Sequence, residues 1–192
     1  ILSGLVGSEM CIRDSFNILL PSYQFERANA WYSSYGKPNE QVQILIYLGR
    51  SYANDGDYDK AMSIYTNALE IGEKNKLYNL VGYTYSYIGD LYREKAMRTE
   101  AIKKYEMAAD NFKKENNTDS YACALRDMGR EYACTDSISR ALEILLMADS
   151  ITETSEDKDV KASIENTLGN IYVMHNKYDK AKKFFYLSLI HI

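Results

Sequence analysis

The sequence predicts an all-α fold, an α-solenoid of stacked antiparallel helix pairs, on three observations. A pattern of Gly, Tyr and Ala returns every forty residues. Helix breakers are scarce, with 10 Gly and 2 Pro in 192 residues. Apolar residues make up 46% of the chain, enough to build a core, yet no apolar run approaches the roughly 20 residues of a membrane span.

The repeat fixes the register of each helix pair. Gly49, Gly89, Gly129 and Gly169 each follow an apolar residue (Leu48, Ile88, Met128, Leu168). Tyr52, Tyr92, Tyr132 and Tyr172 stand three positions on, and Ala61, Ala101, Ala141 and Ala181 twelve on. Four residues after each alanine comes Tyr65, Tyr105, Leu145 or Phe185, and Ala68, Ala108 and Ala148 close the pattern. A helix-interior glycine costs about 1 kcal/mol relative to alanine, so its recurrence implies that a neighbouring backbone comes close. Each unit therefore carries a helix A across the Gly and a helix B across the two Ala. Asn54-Asp55-Gly56-Asp57 and Thr135-Asp136-Ser137 are turn signals between A and B, the latter also supplying an N-cap. Polar connections 73–76, 114–120 and 154–159 follow helix B. The expected helices are 41–54, 58–73, 78–95, 98–114, 119–134, 138–152, 158–175 and 178–186.

This pattern resembles the tetratricopeptide repeat, with its Leu-Gly-x-x-Tyr stretch followed by spaced Ala, aromatic and Ala. The resemblance implies a right-handed superhelix and four repeats over 42–81, 82–121, 122–161 and a truncated 162–186. Residues 16–41 then hold the trailing helix of a preceding repeat and a connection, with Phe25 and Ala28 in phase and Pro21 where alanine is expected. Two features depart from the family. Glu73, Lys113 and Glu153 replace its usual proline, and the unit exceeds 34 residues. Six extra residues lengthen a helix by roughly 9 Å. The bulky residue expected three positions before each Leu-Gly step is Leu45, Tyr85 and Leu125, but Glu165 in the last unit, which puts the packing there in doubt.

Residues 1–15 and 187–192 resemble translated adapter from transposon-based sequencing libraries. One nucleotide string, read on opposite strands, yields both Glu9-Met10-Cys11-Ile12-Arg13-Asp14-Ser15 and Leu187-Ser188-Leu189-Ile190-His191-Ile192. On that reading the ends are non-native, 16–186 is a fragment of a longer gene, and Cys123, Cys134 and His175 are the native thiols and imidazole.

Charge and motifs narrow the function classes. Acidic residues outnumber basic ones, 27 to 23, which provides no electrostatic footprint for nucleic acid. A stacking platform of tyrosines would suit single strands, but Tyr52, Tyr92, Tyr132 and Tyr172 occupy positions expected to be core. No CxxC pair, Walker loop, GxSxG or HExxH occurs, so no catalytic residue, cofactor or metal ligand is assigned. Cys123 and Cys134 lie eleven residues apart on one helix, about 16 Å along its axis, too far to bridge; they read as small near-core thiols. His175 reads as a solvated turn residue. Glu100/Lys104 and Asp179/Lys183 have the i, i+4 spacing of exposed helix pairs.

Protein or peptide partners remain, held as the family resemblance implies in the groove lined by helix A. Counting each unit from Val42, Gly82, Ala122 and Ala162, positions two, five, nine and thirteen should face that groove. They include Arg50 and Asn54, then Tyr83, Asp90 and Glu94, then Arg126 and Arg130, then Asn166 and Asn170; Ile46 is also among them. The Lys/Asn/Asn/Lys/Arg clamp for chaperone tails is not present at these positions. The mixed lining instead suits a peptide with an acidic group near Arg126 and Arg130. The alternative is a sensory or regulatory segment of a larger bacterial signalling protein, a histidine kinase or transcription regulator, with its output domain elsewhere in the gene. Unpaired thiols fit a reducing cytoplasm; export or membrane anchoring stays open.

Overall fold

The computed structural model describes residues 22–135 and 137–191. Residues 1–21, Asp136 and Ile192 lie outside the described residues, and with them the readings of the N-terminal end and of Pro21. The described residues form helices and turns and no strand, and the chain divides into two compact units, 1–71 and 72–192.

The first unit carries α1 (Ser22–Tyr35) and α2 (Pro38–Asn54), which pack together, and most of α3 (Tyr58–Lys74). Pro38 opens α2, where its missing N–H costs nothing, and the Glu40 carboxylate accepts from the Lys37 N–H at 3.0 Å. Gly56 takes φ +81° and lets the chain reverse, after which Asp57 Oδ1 accepts from the Lys60 N–H at 3.2 Å to start α3. Phe25 and Ala28 are buried, as their phase in the repeat predicts.

The second unit continues as α4 (Tyr78–Glu94), α5 (Arg98–Lys114), α6 (Thr118–Cys134), α7 (Ile138–Ile151), a 3-10 turn at Thr152–Thr154, α8 (Lys158–Met174) and α9 (Tyr178–His191). Consecutive helices pack on one another, and α6 also meets α8. The core is the set the repeat predicts: Ala101, Tyr105, Ala108, Ala141, Leu145, Ala148 and Leu168 are fully buried. A methyl added to Gly89 would sit 2.6 Å from the Tyr105 ring, and one added to Gly129 2.7 Å from Leu145. These glycines are notches for the side chain of the partner helix.

Several expectations are corrected. The last helix continues through Leu187 to His191, with Ser188 buried. Ser137 sits at the N-cap of α7, but its hydroxyl makes no cap bond; Asn117 and Asp157 cap α6 and α8 instead, accepting from Ser120 and Val160 N–H. Of the four repeat tyrosines only Tyr172 is buried. Tyr52, Tyr92 and Tyr132 are half-buried, and Lys60 lies over the Tyr52 ring, so this position is an edge of the core. Fully buried rings come from helix B, as Tyr65 and Tyr105. Cys134 is exposed, Cys123 half-buried, and His175 forms the half-buried C-cap of α8. Ile46, counted to the open face, is buried.

The turns carry a cost of their own. Lys76, Ala96, Asn116 and Asn176 all have φ near +55°, where a side chain other than Gly costs roughly 1–2 kcal/mol. One buried ion pair joins α5 to α6: Arg98 Nη1 donates to Glu131 Oε2 at 2.8 Å, with the Glu131 side chain 2% exposed. Leu91 and Ile171 occupy the positions equivalent to Glu131 in the flanking units, and both are buried.

Gly89→Ala should therefore lower stability by about 1–3 kcal/mol despite its better helix propensity, while Ala96→Gly should raise it by about 1 kcal/mol. Urea melts of the full chain measure both, and a stabilised Gly89→Ala would show that the Tyr105 ring is not lodged there. Arg98→Ala should cost about 1–3 kcal/mol by stranding the Glu131 carboxylate. The pair Arg98→Ile/Glu131→Leu should recover that loss, because well-packed apolar residues replace buried ion pairs without penalty. A double variant no more stable than Arg98→Ala would refute this account of the junction.

Candidate functional site

The sequence-derived binding residues divide between the two units. In the first, Arg50 and Asn54 on α2 are exposed. In the second, α4, α6 and α8 contribute a face on which polar side chains link the successive A helices.

At its N-terminal end, the Tyr83 hydroxyl shares a 2.7 Å hydrogen bond with Ser120 Oγ, and its ring meets Phe112 edge-on at 4.9 Å. Asn117 Nδ2 donates to Asn79 Oδ1 at 3.1 Å. Asp90 accepts from the Tyr105 hydroxyl and from Arg93 Nη1, each at 2.8 Å. Tyr105 belongs to the core, so its hydroxyl ties the helix pair to this face. Burial pushes the Asp90 carboxyl up, and Arg93 and the Tyr105 hydroxyl only partly offset it. Burial, with the Asp90 charge next, also raises the Tyr105 phenol. Glu94 is exposed beside Arg93, 3.5 Å from its Nη2.

The centre is Asp127. Its Oδ1 accepts from Arg126 Nε at 3.1 Å, Arg126 Nη2 at 3.0 Å and Arg130 Nη2 at 2.7 Å. Arg126 Nη1 donates to Ser163 Oγ on α8 at 2.8 Å, so this guanidinium is held on three sides. Burial opposes its charge, but Asp127, with Cys123 and Asp90, together outweigh it and push the Arg126 guanidinium up. Arg130 makes one bond to Asp127 and its side chain is 44% exposed. Asn166 and Asn170 are exposed on α8, one amide donating to the other at 3.4 Å.

The structure thus brings Arg126 and Arg130 together on Asp127, with Asp90 near enough to feel the charges of Asp127 and Arg130. Sequence reasoning missed Asp127 and Arg93. Each stands three residues from a residue it did select (Arg130 and Asp90), and that i, i+3 spacing is the signal that could have found them. Among the described residues no group of His, Cys, Asp and Glu could hold a metal ion, and no helix is long and apolar enough to cross a membrane.

Comparison with known proteins agrees with the fold. The family model for the tetratricopeptide repeat matches residues 40–114. The chain is similar to the photosystem I assembly protein Ycf3 of Acaryochloris marina, 34% identical over 79 residues, covering 40% of this chain and 47% of that protein. The Ycf3 of Rippkaea orientalis is 30% identical over 77 residues, covering 40% and 44%. The chain thus spans about half the length of the curated relatives it matches. Among solved structures, BtubC (BKLC) from P. vanneervenii superposes with a TM-score of 0.70 at 19% identity, over 88% of this chain and 73% of that one. The apo form of RapI gives 0.68 at 14% identity, over 88% and 75%. At these identities the likeness concerns the fold. Repeats of this kind are generally non-enzymatic modules for protein–protein interaction. With the forty-residue register, the buried Ala and aromatic positions and the matched family model in agreement, residues 40–114 are tetratricopeptide repeat sequence, and the second unit carries the same register and fold through its later helices.

Proposed function

We propose that the chain is a protein-interaction module that binds an extended or helical peptide across the α4–α6–α8 face, with Arg130 receiving an acidic group. The observation that carries this reading is the convergence of Arg126 and Arg130 on one carboxylate oxygen of Asp127. The face already holds one carboxylate. Arg130 keeps exposed donors for a second, and a guanidinium accommodates a carboxylate in fork geometry. Arg126 acts behind it as a fixed positive charge, its donors occupied by Asp127 and Ser163. Asn166 and Asn170 are suited to peptide amides, since each side chain both donates and accepts. Tyr83 offers an exposed ring edge, and Asp90 and Glu94 favour a basic or amide group at the α4 end. Arg50 and Asn54 are proposed as contacts within their own unit. The tandem units 42–81, 82–121, 122–161 and 162–186 are proposed as the repeats that carry these positions.

Panning a random peptide display library on the folded chain supplies a probe. Selected peptides should be rich in Asp, Glu or a free C-terminal carboxylate. Arg130→Ala should weaken their binding by about 2–5 kcal/mol, the loss typical of a truncated charge pair at an interface. Tyr178→Ser, on α9 away from this face, should leave affinity unchanged. Selection of neutral peptides, or an unaltered Kd for folded Arg130→Ala, would move the site elsewhere.

A further inference from the structure

The sequence Asp-x-x-Arg occurs on two successive A helices, as Asp90–Arg93 on α4 and Asp127–Arg130 on α6. Both are closed i, i+3 ion pairs, at 2.8 Å and 2.7 Å. The two copies stand 37 residues apart and not forty, so α6 carries its pair nearly one helical turn earlier in the unit. Position nine, counted to the open face, is therefore the acid Asp90 on α4 and the base Arg130 on α6. Each pair has a third charge beside it, and these third charges differ in sign. Glu94 lies 3.5 Å from Arg93 Nη2, and Arg126 Nη2 donates to Asp127 at 3.0 Å. Two carboxylates against one guanidinium leave α4 with one negative charge in excess at this place. Two guanidiniums against one carboxylate leave α6 with one positive charge. Among the described residues no ion pair joins α4 to α6, so neither excess is taken up by direct contact with the other. The outward members are Glu94, its side chain 53% exposed, and Arg130.

We propose that this face selects a bipolar peptide, with a basic side chain over Glu94 and a carboxylate over Arg130, three or four residues apart in an extended chain. The acidic contact is that of the binding reading above, on which this rests; the basic partner and the spacing go beyond it. The spacing follows from the helices. α4 and α6 run side by side, bridged by Tyr83 and Ser120 at 2.7 Å, and helices so placed lie about 10 Å apart. Glu94 holds position thirteen and Arg130 position nine, a further offset of about 6 Å along the axis. An extended chain advances about 3.3 Å per residue and covers that diagonal in three or four steps. A ligand of one charge sign gains at one helix and loses at the other, whereas a bipolar one gains at both. For the same reason a singly charged carboxylate matches the one positive charge left over on α6, and a doubly charged phosphate is repelled by Asp90 and Glu94.

Panning the random peptide library on the unaltered chain and on Glu94→Gln, an exposed and nearly isosteric change, reads the second charge. Peptides selected on the unaltered chain should pair Asp or Glu with Lys or Arg at a separation of three or four. Those selected on Glu94→Gln should keep the acid and lose the preference for the base. Replacing the basic residue of one selected peptide by Ala should weaken its binding to the unaltered chain about three- to five-fold, the upper range for an exposed pair, and leave binding to Glu94→Gln nearly unchanged. Fluorescence anisotropy at low salt, where exposed charges are least screened, measures both. Acidic peptides with no base at that separation, or a base whose removal costs as much on Glu94→Gln, would overturn the bipolar motif while the acidic contact at Arg130 stood. Neutral peptides would overturn both.

Discussion

One contact recurs on which the rest of the molecule depends: a glycine in helix A receives a large side chain from helix B sixteen residues later. Gly49 faces Tyr65, Gly89 faces Tyr105, Gly129 faces Leu145 and Gly169 faces Phe185. Tyr, Leu and Phe interchange at the position, so what is required is volume in the notch and not a particular chemistry. The close approach fixes which face of helix A is turned inward. Positions around Leu45, Leu125 and Leu168 fall in the core, and polar residues one step around the helix are left to line an open face. Buried Ala101, Ala141 and Ala181 allow the approach from the other side, since any larger residue would hold the helices apart.

Where the lodged side chain is a tyrosine, the core and the polar face become one system. The Tyr105 ring fills the Gly89 notch while its hydroxyl donates to Asp90, which also holds Arg93. The Asp127 centre on α6 acts on Asp90 across the gap between the helices. Single exposed ion pairs contribute little to stability. This cluster matters instead for position: the Asp127 carboxylate and the Ser163 hydroxyl fix the Arg126 guanidinium, and the same carboxylate oxygen anchors Arg130 beside it.

The existence, order and register of the helices were legible because a forty-residue period repeats the same test several times; the expected ends fall mostly within a residue or two of those observed, the ordinary uncertainty of helix ends. Buried alanines were equally legible, since small residues at fixed spacing mark a close approach; the glycines read as a close backbone, whereas a helix B side chain fills each one. The polar interior was not. Arg98 and Glu131 are 33 residues apart, and nothing local marks them as a pair. The sequence showed Glu165 as a departure from pattern, but not that it is buried alongside Lys161. Tyr52, Tyr92 and Tyr132 were misjudged because a tyrosine at a conspicuous repeat position reads as core, whereas its phenol tip allows it to finish the core's edge. In the candidate site the exposed residues were found by counting. Their mutual neutralisation by Asp127 was missed because the count ignored neighbours on the same helix.

Within the second unit the two kinds of contact are sorted by place. Inside a helix pair the glycine notches are filled by shape, as at Gly89–Tyr105, Gly129–Leu145 and Gly169–Phe185, with the Tyr105 hydroxyl adding a polar tie to Asp90. Between successive pairs, polar contacts recur: Asn79–Asn117, Tyr83–Ser120, Arg98–Glu131, Asp119–Ser155, Arg126–Ser163 and Glu153–Lys161. Apolar surfaces tolerate sliding, whereas hydrogen bonds weaken steeply once distance and angle are lost. A boundary built from them therefore has a definite register. It contributes less net stability per contact than an apolar one, because each group gives up its bonds to water. The apolar core nevertheless runs through the boundary, where Leu125, Ile144, Leu145, Ile164 and Leu168 belong to one buried cluster. In a protein stabilised mainly by nearest-neighbour contacts, these boundary bonds set the register in which one pair meets the next.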